Sequence, residues 1–358
     1  MAQFSCPTKI ISGAGALQEL EKLGLKRLLV VADPFFVKNG VAAKIAAMAP
    51  MAEVFDRVEP DPSVELVAQG VARVKEVNPE GIVALGGGSA IDCAKAMLYF
   101  SGSEAKLVAI PTTSGSGSEV TDFSILTHNN GKHPLVDTKL RPDVAILDSD
   151  LLTNMPAGLV ADTGFDVLCH AVESFVATGA SPITDALAQS AFAEAFAALP
   201  ASYGGNTAVR LKIHVAATMA GMAFTQAGLG LCHAMAHALG GVFHIPHGRL
   251  NAILLPAVID ANAHGAGEKY AKLARTSGLG GSAAVIGVRN LKNALVRLRG
   301  ELGLPQTLQQ AGIEPALVWH KSRQIVQAVL ADPCCKTNPV PVEDFMVRRI
   351  LEAVTGRG

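Results

Sequence analysis

Four short apolar runs constrain the first half of this chain more than any other feature: 27–32, 81–85, 106–110 and 144–147. None alternates with polar residues. Each is closed by turn formers, namely Asp33-Pro34, Gly86-Gly87-Gly88, Pro111 and Asp148. Strands buried on both faces read this way, because a parallel sheet is covered above and below. Helix-length stretches such as 63–78 and 89–100 lie between the runs. The order β-α-β-α predicts an open, Rossmann-like parallel sheet with helices on both sides. The character changes near Pro156. Beyond it no strand is predicted, and Ala- and Leu-rich stretches dominate at 157–179, 182–200, 207–227, 229–242, 284–302 and 343–355. The apolar segment 251–259 also reads as helix. An α/β domain over 1–155 and an all-α domain over 156–358 follow, and 358 residues suit two domains at roughly 150 each.

Composition removes several classes of function. Basic and acidic residues number 30 and 31, so no surplus of positive charge exists to neutralise phosphates or grip an anionic bilayer. Nucleic acid and membrane are therefore not expected as partners. Apolar residues make up 49% and charged ones 17%, the reverse of a disordered chain. The same balance suits a buried subunit interface, so a homodimer or higher homo-oligomer is expected. No apolar run reaches the ~18 residues of a membrane span, and the first residues lack the basic-then-apolar order of a secretory signal. Cysteines stand at 6, 93, 169, 232, 334 and 335, with no C-x-x-C pair. That pattern reads as reduced thiols of a cytoplasmic protein and excludes a zinc ribbon.

Two constellations carry chemistry. In the first half, the run 81–85 leads into Gly86-Gly87-Gly88-Ser89 and then a helix holding Asp92. Glycines let a backbone approach an anion, and free N–H groups at a helix start bind pyrophosphate. The standard G-x-G-x-x-G fingerprint is absent. Asp33 ends an earlier strand, where a carboxylate can accept from a ribose and repel a 2′-phosphate. Thr112, Thr113 and Ser116 follow a third strand and offer hydroxyls at the same sheet edge. In the second half, His233, His237, His244 and His247 crowd into fifteen residues, where uniform scatter of ten histidines would place roughly 0.4. His233 and His237 are spaced i, i+4, as are Asp166 and His170, so each pair shares a helix face. Carboxylate and imidazole donors without thiolate suit Fe²⁺, Zn²⁺ or Mn²⁺. Spacing alone does not say which three or four residues bind.

The blocks GGGSAIDCAK (Gly86 to Lys95), Pro111-Thr112-Thr113, GFDVLCHA (Gly164 to Ala171) and Gly228 through Gly248 resemble the iron-containing, group III alcohol dehydrogenases. The resemblance covers nearly the whole chain. The segment FSCPTKIISGAGAL and the phrase Glu59-Pro60-Asp61-Pro62 look most like the branch that reduces propionaldehyde in propanediol-utilisation microcompartments. The ethanolamine-utilisation branch is next. The resemblance implies NAD(H) in the first domain and a divalent metal, Fe²⁺ with Zn²⁺ as an alternative, in the second. Carried over by motif, the ligands are Asp166, His170, His233 and His247. The cofactor residues are Asp33, Gly86, Gly87, Gly88, Ser89, Asp92, Thr112, Thr113, Ser116 and Lys132. His237 matches a histidine that lies near the nicotinamide and is not a ligand; it or the nicotinamide ribose is expected to relay the proton. Phe224 and Cys334 match positions at the substrate pocket. One departure is Val340, where the family usually has Arg after the proline of Thr337-Asn338-Pro339.

The expected activity is reduction of propionaldehyde or a similar short aldehyde by NADH, regenerating NAD, with the small-molecule alcohol as product. Ethanol, butanol, lactaldehyde and glycerol enzymes of the same family stay open, as does a metal-dependent lyase or hydrolase on this architecture. Placement inside a bacterial microcompartment, with shell or enzyme partners, is implied by the resemblance alone.

Overall fold

The computed structural model describes residues 3–128 and 131–356. The chain divides into two compact units. One is Ser5–Met155; the other is Pro156–Gly358 with Met1–Phe4.

In chain order the first unit contains β1 (Lys9–Gly13), β2 (Arg27–Ala32), α1 (Pro34–Lys38), α2 (Val41–Ala46), β3 (Met51–Phe55) and α3 (Val64–Val77). It continues with β4 (Gly81–Gly86), α4 (Gly88–Ser101), β5 (Lys106–Pro111), β6 (Phe123–His128), β7 (Gly131–Val136) and β8 (Val144–Asp148). Six strands form one parallel sheet in the order β1-β8-β5-β4-β2-β3. Side chains from alternate positions of each strand enter opposite layers. Leu29, Val31, Ile82 and Ala84 pack with Leu66, Ile91 and Met97 from α3 and α4. Leu28, Val30, Val83 and Leu85 pack on the other face with Leu17, Phe36 and Ile45. Both faces are thus dry, which is why the central strands carry no polar alternation.

The chain leaves β2 outward to β3, then returns to the other side of β2 as β4. This reversal is a topological switch point, and the carboxyl ends of β2 and β4 meet there. Asp33 follows β2 and Gly86 ends β4. A Cβ on Gly86, whose φ is 154°, would press on Asp33 and Ala90.

Four strands escaped the sequence reading. β1 and β3 lie at the sheet edges and are largely exposed, so their composition is mixed. β6 and β7 form a separate antiparallel pair.

The second unit contains α5 (Ala157–Val176), α6 (Pro182–Tyr203), α7 (Arg210–Ala227), α8 (Leu231–Phe243) and α9 (His247–Thr276). It ends with α10 (Ala284–Glu301), α11 (Pro315–Ala331) and α12 (Asp344–Thr355). Among the described residues it has no strand. The segment read as helix at 251–259 is the middle of α9, which runs much further in both directions. α11 was not predicted. Its Val318, Ile325, Val326 and Val329 are buried, but exposed Leu317, Trp319 and Leu330 stand among them and blur the stripe in the sequence. Among the described residues no single helix is long and apolar enough to cross a membrane.

α5 is the centre of this unit and is buried almost throughout, from Val160 to Val176. α9 starts hard against it. A Cβ on Gly248 would overlap the Asp162 carbonyl oxygen, so only glycine permits this approach.

Candidate active site

Three helices deliver the candidate ligands of the second unit. α5 presents Asp166 and His170 one turn apart, α8 presents His233, and α9 begins with His247. Asp166 Oδ1 lies 3.7 Å from His233 Nε2, 3.7 Å from His247 Nε2 and 4.0 Å from His170 Nε2. Asp166, His233 and His247 converge most closely. His170 joins by stacking on His233, with ring centroids 4.5 Å apart and planes 20° from parallel. Donors bonded at ~2.1 Å to one tetrahedral ion stand ~3.4 Å apart. The separations from Asp166 are a few tenths longer, and the donor atoms of Asp166, His233 and His247 all lie within 4.8 Å of one another, with His170 outside that group. The donor set, one carboxylate and three imidazoles, suits such an ion.

The electrostatics of the group pull both ways: its carboxylates attract positive charge, while burial and the crowded imidazoles resist it. Burial opposes ionisation of Asp166, but His170, His247 and His233 outweigh it and hold the carboxyl well below the usual range. Burial also disfavours charge on His233; hydrogen bonds and attraction from Asp166 and Glu173 nevertheless lift it to about 9. His247 is pushed well below its ordinary value, first by burial and then by His237, His233 and His170, against the pull of Asp166.

The dinucleotide candidates gather at the switch point of the first unit. α4 starts at Gly88 with Gly87 before it, and no side chain caps its first N–H groups. Such a start is ready for an anion. The loop after β5 lies on this turn. Thr112 N donates to Gly86 O at 3.0 Å. A Cβ on Gly87 would sit 3.1 Å from Thr113 Oγ1, and one on Gly88 would sit 3.1 Å from Ser116 Oγ. Asp33 caps α1 by accepting from Phe35 N at 2.8 Å. Ser89 Oγ accepts from Asp61 N at 3.2 Å, and Lys132 Nζ binds Asp61 Oδ1 at 2.7 Å. Asp92 spends its carboxylate inside the protein, accepting from Ser118 Oγ at 2.6 Å and from Ile125 N at 3.0 Å. It anchors the chain beyond the hydroxyl loop.

Known proteins carry the same organisation. The pattern described as "Iron-containing alcohol dehydrogenase" matches residues 7–149, and "Fe-containing alcohol dehydrogenase family, C-terminal" matches 160–355. The chain belongs to the iron-containing alcohol dehydrogenase family. It is 40% identical to the 1-propanol dehydrogenase PduQ of Citrobacter freundii, over 98% of this chain and 99% of that one. It is 39% identical to the NADPH-dependent butanol dehydrogenase of Clostridium saccharobutylicum, over 99% and 98% respectively. The sulfoacetaldehyde reductase of Bifidobacterium kashiwanohense, solved with NAD⁺, superposes with a TM-score of 0.89 at 27% identity and covers 100% of both chains.

In this alcohol dehydrogenase the remaining candidates surround the imidazoles. His237 stacks on His247 at 5.2 Å, and its Nδ1 lies 2.8 Å from Asp332 Oδ2. Cys334 N donates to the other Asp332 oxygen at 2.8 Å, and burial holds its thiol well above the usual range. Phe224, buried on α7, stacks on His170 at 4.6 Å. His244 closes α8 in a left-handed conformation and takes no part in the cluster.

Three polar residues at the site were not singled out from sequence. Glu173 lies 2.6 Å from His233 Nδ1, Asp332 holds His237, and Asn251 Nδ2 donates to Asp166 Oδ1 at 2.7 Å. A signal existed for two of them. Glu173 continues the face of Asp166 and His170 at i+7, and Asn251 stands four residues after His247. Asp332 carries no such mark, because it reaches His237 from beyond the end of α11. The departure at Val340 leaves a built contact: Asn338 accepts from Leu231 N at 3.1 Å and donates to Val340 O at 2.9 Å.

Proposed function

We propose that this enzyme reduces a short aliphatic aldehyde, with propionaldehyde as the preferred class member, to the primary alcohol, using NADH and a divalent ion. The convergence of Asp166, His233 and His247, with His170 stacked beside them, is the observation that carries this reading. These four side chains would hold the ion, Fe²⁺ or Zn²⁺. When bound, the ion would supply a Lewis acid that draws electron density from a carbonyl and makes its carbon a better hydride acceptor. Phe224 gives the neighbourhood an apolar wall, which excludes water and favours a small alkyl chain. One methylene changes discrimination by only ~1–3 kcal/mol in such a pocket, so chain-length preference is broad. A carboxylate can only accept, so Asp332 fixes the proton of His237 on Nδ1 and leaves Nε2 to take or give the proton of the alcohol oxygen. The uncapped start of α4 and the Thr112–Ser116 hydroxyls would bind the pyrophosphate. We also propose a cytoplasmic homo-oligomer associated with a bacterial microcompartment, as the sequence resemblance implies.

The test is spectrophotometric. NADH is expected to be consumed only after aldehyde is added, with kcat/KM for propionaldehyde at least equal to that for acetaldehyde or lactaldehyde. Chelation is expected to stop consumption, and Fe²⁺ or Zn²⁺ to restore it. Consumption that persists after complete metal removal would overturn the reading.

Asp33 supplies the cofactor preference in this proposal, since its carboxylate repels a 2′-phosphate. Asp33→Asn keeps an acceptor for the Phe35 N–H and removes only the charge. The NADPH/NADH ratio of kcat/KM is expected to rise about tenfold, an interaction of about 1.4 kcal/mol. An unchanged ratio would show that preference resides elsewhere.

A further inference from the structure

Glu173 is buried, yet it is a carboxylate in an apolar helix, α5. Its Oε2 lies 2.6 Å from His233 Nδ1. The same side chain accepts from three backbone N–H groups at the start of α8: Cys232 at 2.7 Å, Gly230 at 3.1 Å and His233 at 3.3 Å. The fit is tight, for a Cβ on Gly230 would stand 2.8 Å from Glu173 Oε1. Across the ring, His233 Nε2 faces Asp166 Oδ1 at 3.7 Å.

We infer that Glu173 is a positioning residue that fixes the tautomer and orientation of His233. The inference rests on the metal reading above. A carboxylate accepts and cannot donate, so the hydrogen bond places the imidazole proton on Nδ1. Once the ring gives up its Nε2 proton, that nitrogen's lone pair faces Asp166, where a cation needs it. The three backbone bonds clamp the carboxylate, so the ring has one orientation before any ion arrives. Partners of this kind raise the basicity of a ligating histidine and typically contribute 10–100-fold to metal affinity.

The competing role is purely structural: Glu173 would merely cap the start of α8. Glu173→Gln separates the two. Gln keeps an oxygen for the backbone N–H groups, but its amide donor opposes the Nδ1 proton and drives the ring toward the other tautomer. The experiment is Zn²⁺ titration of metal-stripped full-length protein against a chromophoric chelator, with circular dichroism recording the fold. E173Q is expected to weaken Zn²⁺ binding 10–100-fold with an unchanged spectrum. An unchanged Kd would overturn the inference while leaving the functional reading intact. In a His233→Ala background, E173Q is expected to change the Kd less than twofold, because the route of its effect is gone. Losses that multiply would also overturn it. If wild-type protein binds no Zn²⁺ or Fe²⁺, the functional reading itself fails and this inference falls with it. A measurement on unaltered sequence guards against a misfolded variant. With ¹⁵N-histidine and Zn²⁺ bound, His233 is expected to show a protonated Nδ1 and a metal-shifted Nε2; the opposite assignment would reject the role.

Discussion

Asp166→Ala is expected to lower kcat/KM for aldehyde reduction by at least about 10³-fold and to abolish stoichiometric metal in the purified enzyme. The reason is the charge of the candidate ligand set. Asp166 is its only anion, and it faces His170, His233 and His247 at 3.7 to 4.0 Å. Without it, three imidazoles face one another and a cation among them. Asn251 Nδ2 loses its shortest hydrogen bond in the same step and keeps only its contacts with His233 Nε2 and His247 Nε2 at 3.3 and 3.2 Å. Metal analysis and steady-state rates, measured beside a circular dichroism spectrum, check the result. A variant retaining one metal per chain and near-normal turnover would remove Asp166 from the site.

Lys95→Met is expected to act on the other unit and on stability first. Lys95 is fully buried, and its Nζ donates to Ser118 Oγ, Thr121 O, Thr121 Oγ1 and Phe123 O at 2.7 to 3.1 Å. Those bonds tie the chain after Thr112–Ser116 to α4, whose first turn is the proposed anion site. Methionine fills the space but strands the acceptors and leaves Asp92 without its neighbouring cation. Loss of one member of such a buried set costs about 3 kcal/mol, read as a lower midpoint in thermal or urea unfolding. The KM for NADH is expected to rise with it.

The pH dependence carries a definite sign. Burial lowers Lys95 to about 8 despite attraction from Asp92, Glu119 and Asp122. Its unfolded value is ~10.4. Between those two values the unfolded chain binds the extra proton, so stability attributable to this group rises with pH. The gap between wild type and Lys95→Met should therefore widen from about pH 8 to pH 10. A gap that narrows over this range would contradict the burial of a charged lysine.

The strands that could be read from sequence are β2, β4, β5 and β8, and they occupy the four interior positions of the sheet. Burial on both faces wrote an unmistakable pattern into them. β1 and β3 answer to solvent on one side, so residues such as Lys9 and Glu53 hide them. The helical half was visible in outline because α5 to α8 are rich in alanine and leucine. α9 was harder, since its second half carries His264, Gly265, Gly267 and Glu268 among apolar positions. At the site, histidine spacing revealed a cation set because helix periodicity places i and i+4 together. Asp332 was silent because its partner, 95 residues away, meets it only after packing; the helix-face mark of Glu173 gives no hint of His233, 60 residues away.

Gly248 deserves its place beside the ligands for a reason unrelated to donor chemistry. Where α9 first touches α5, the room available is that of a lone hydrogen atom. Even alanine would wedge the two rods apart and carry the adjoining imidazole of His247 off target. The tolerance of this enzyme to genetic drift is therefore narrow at a residue that offers no functional group at all.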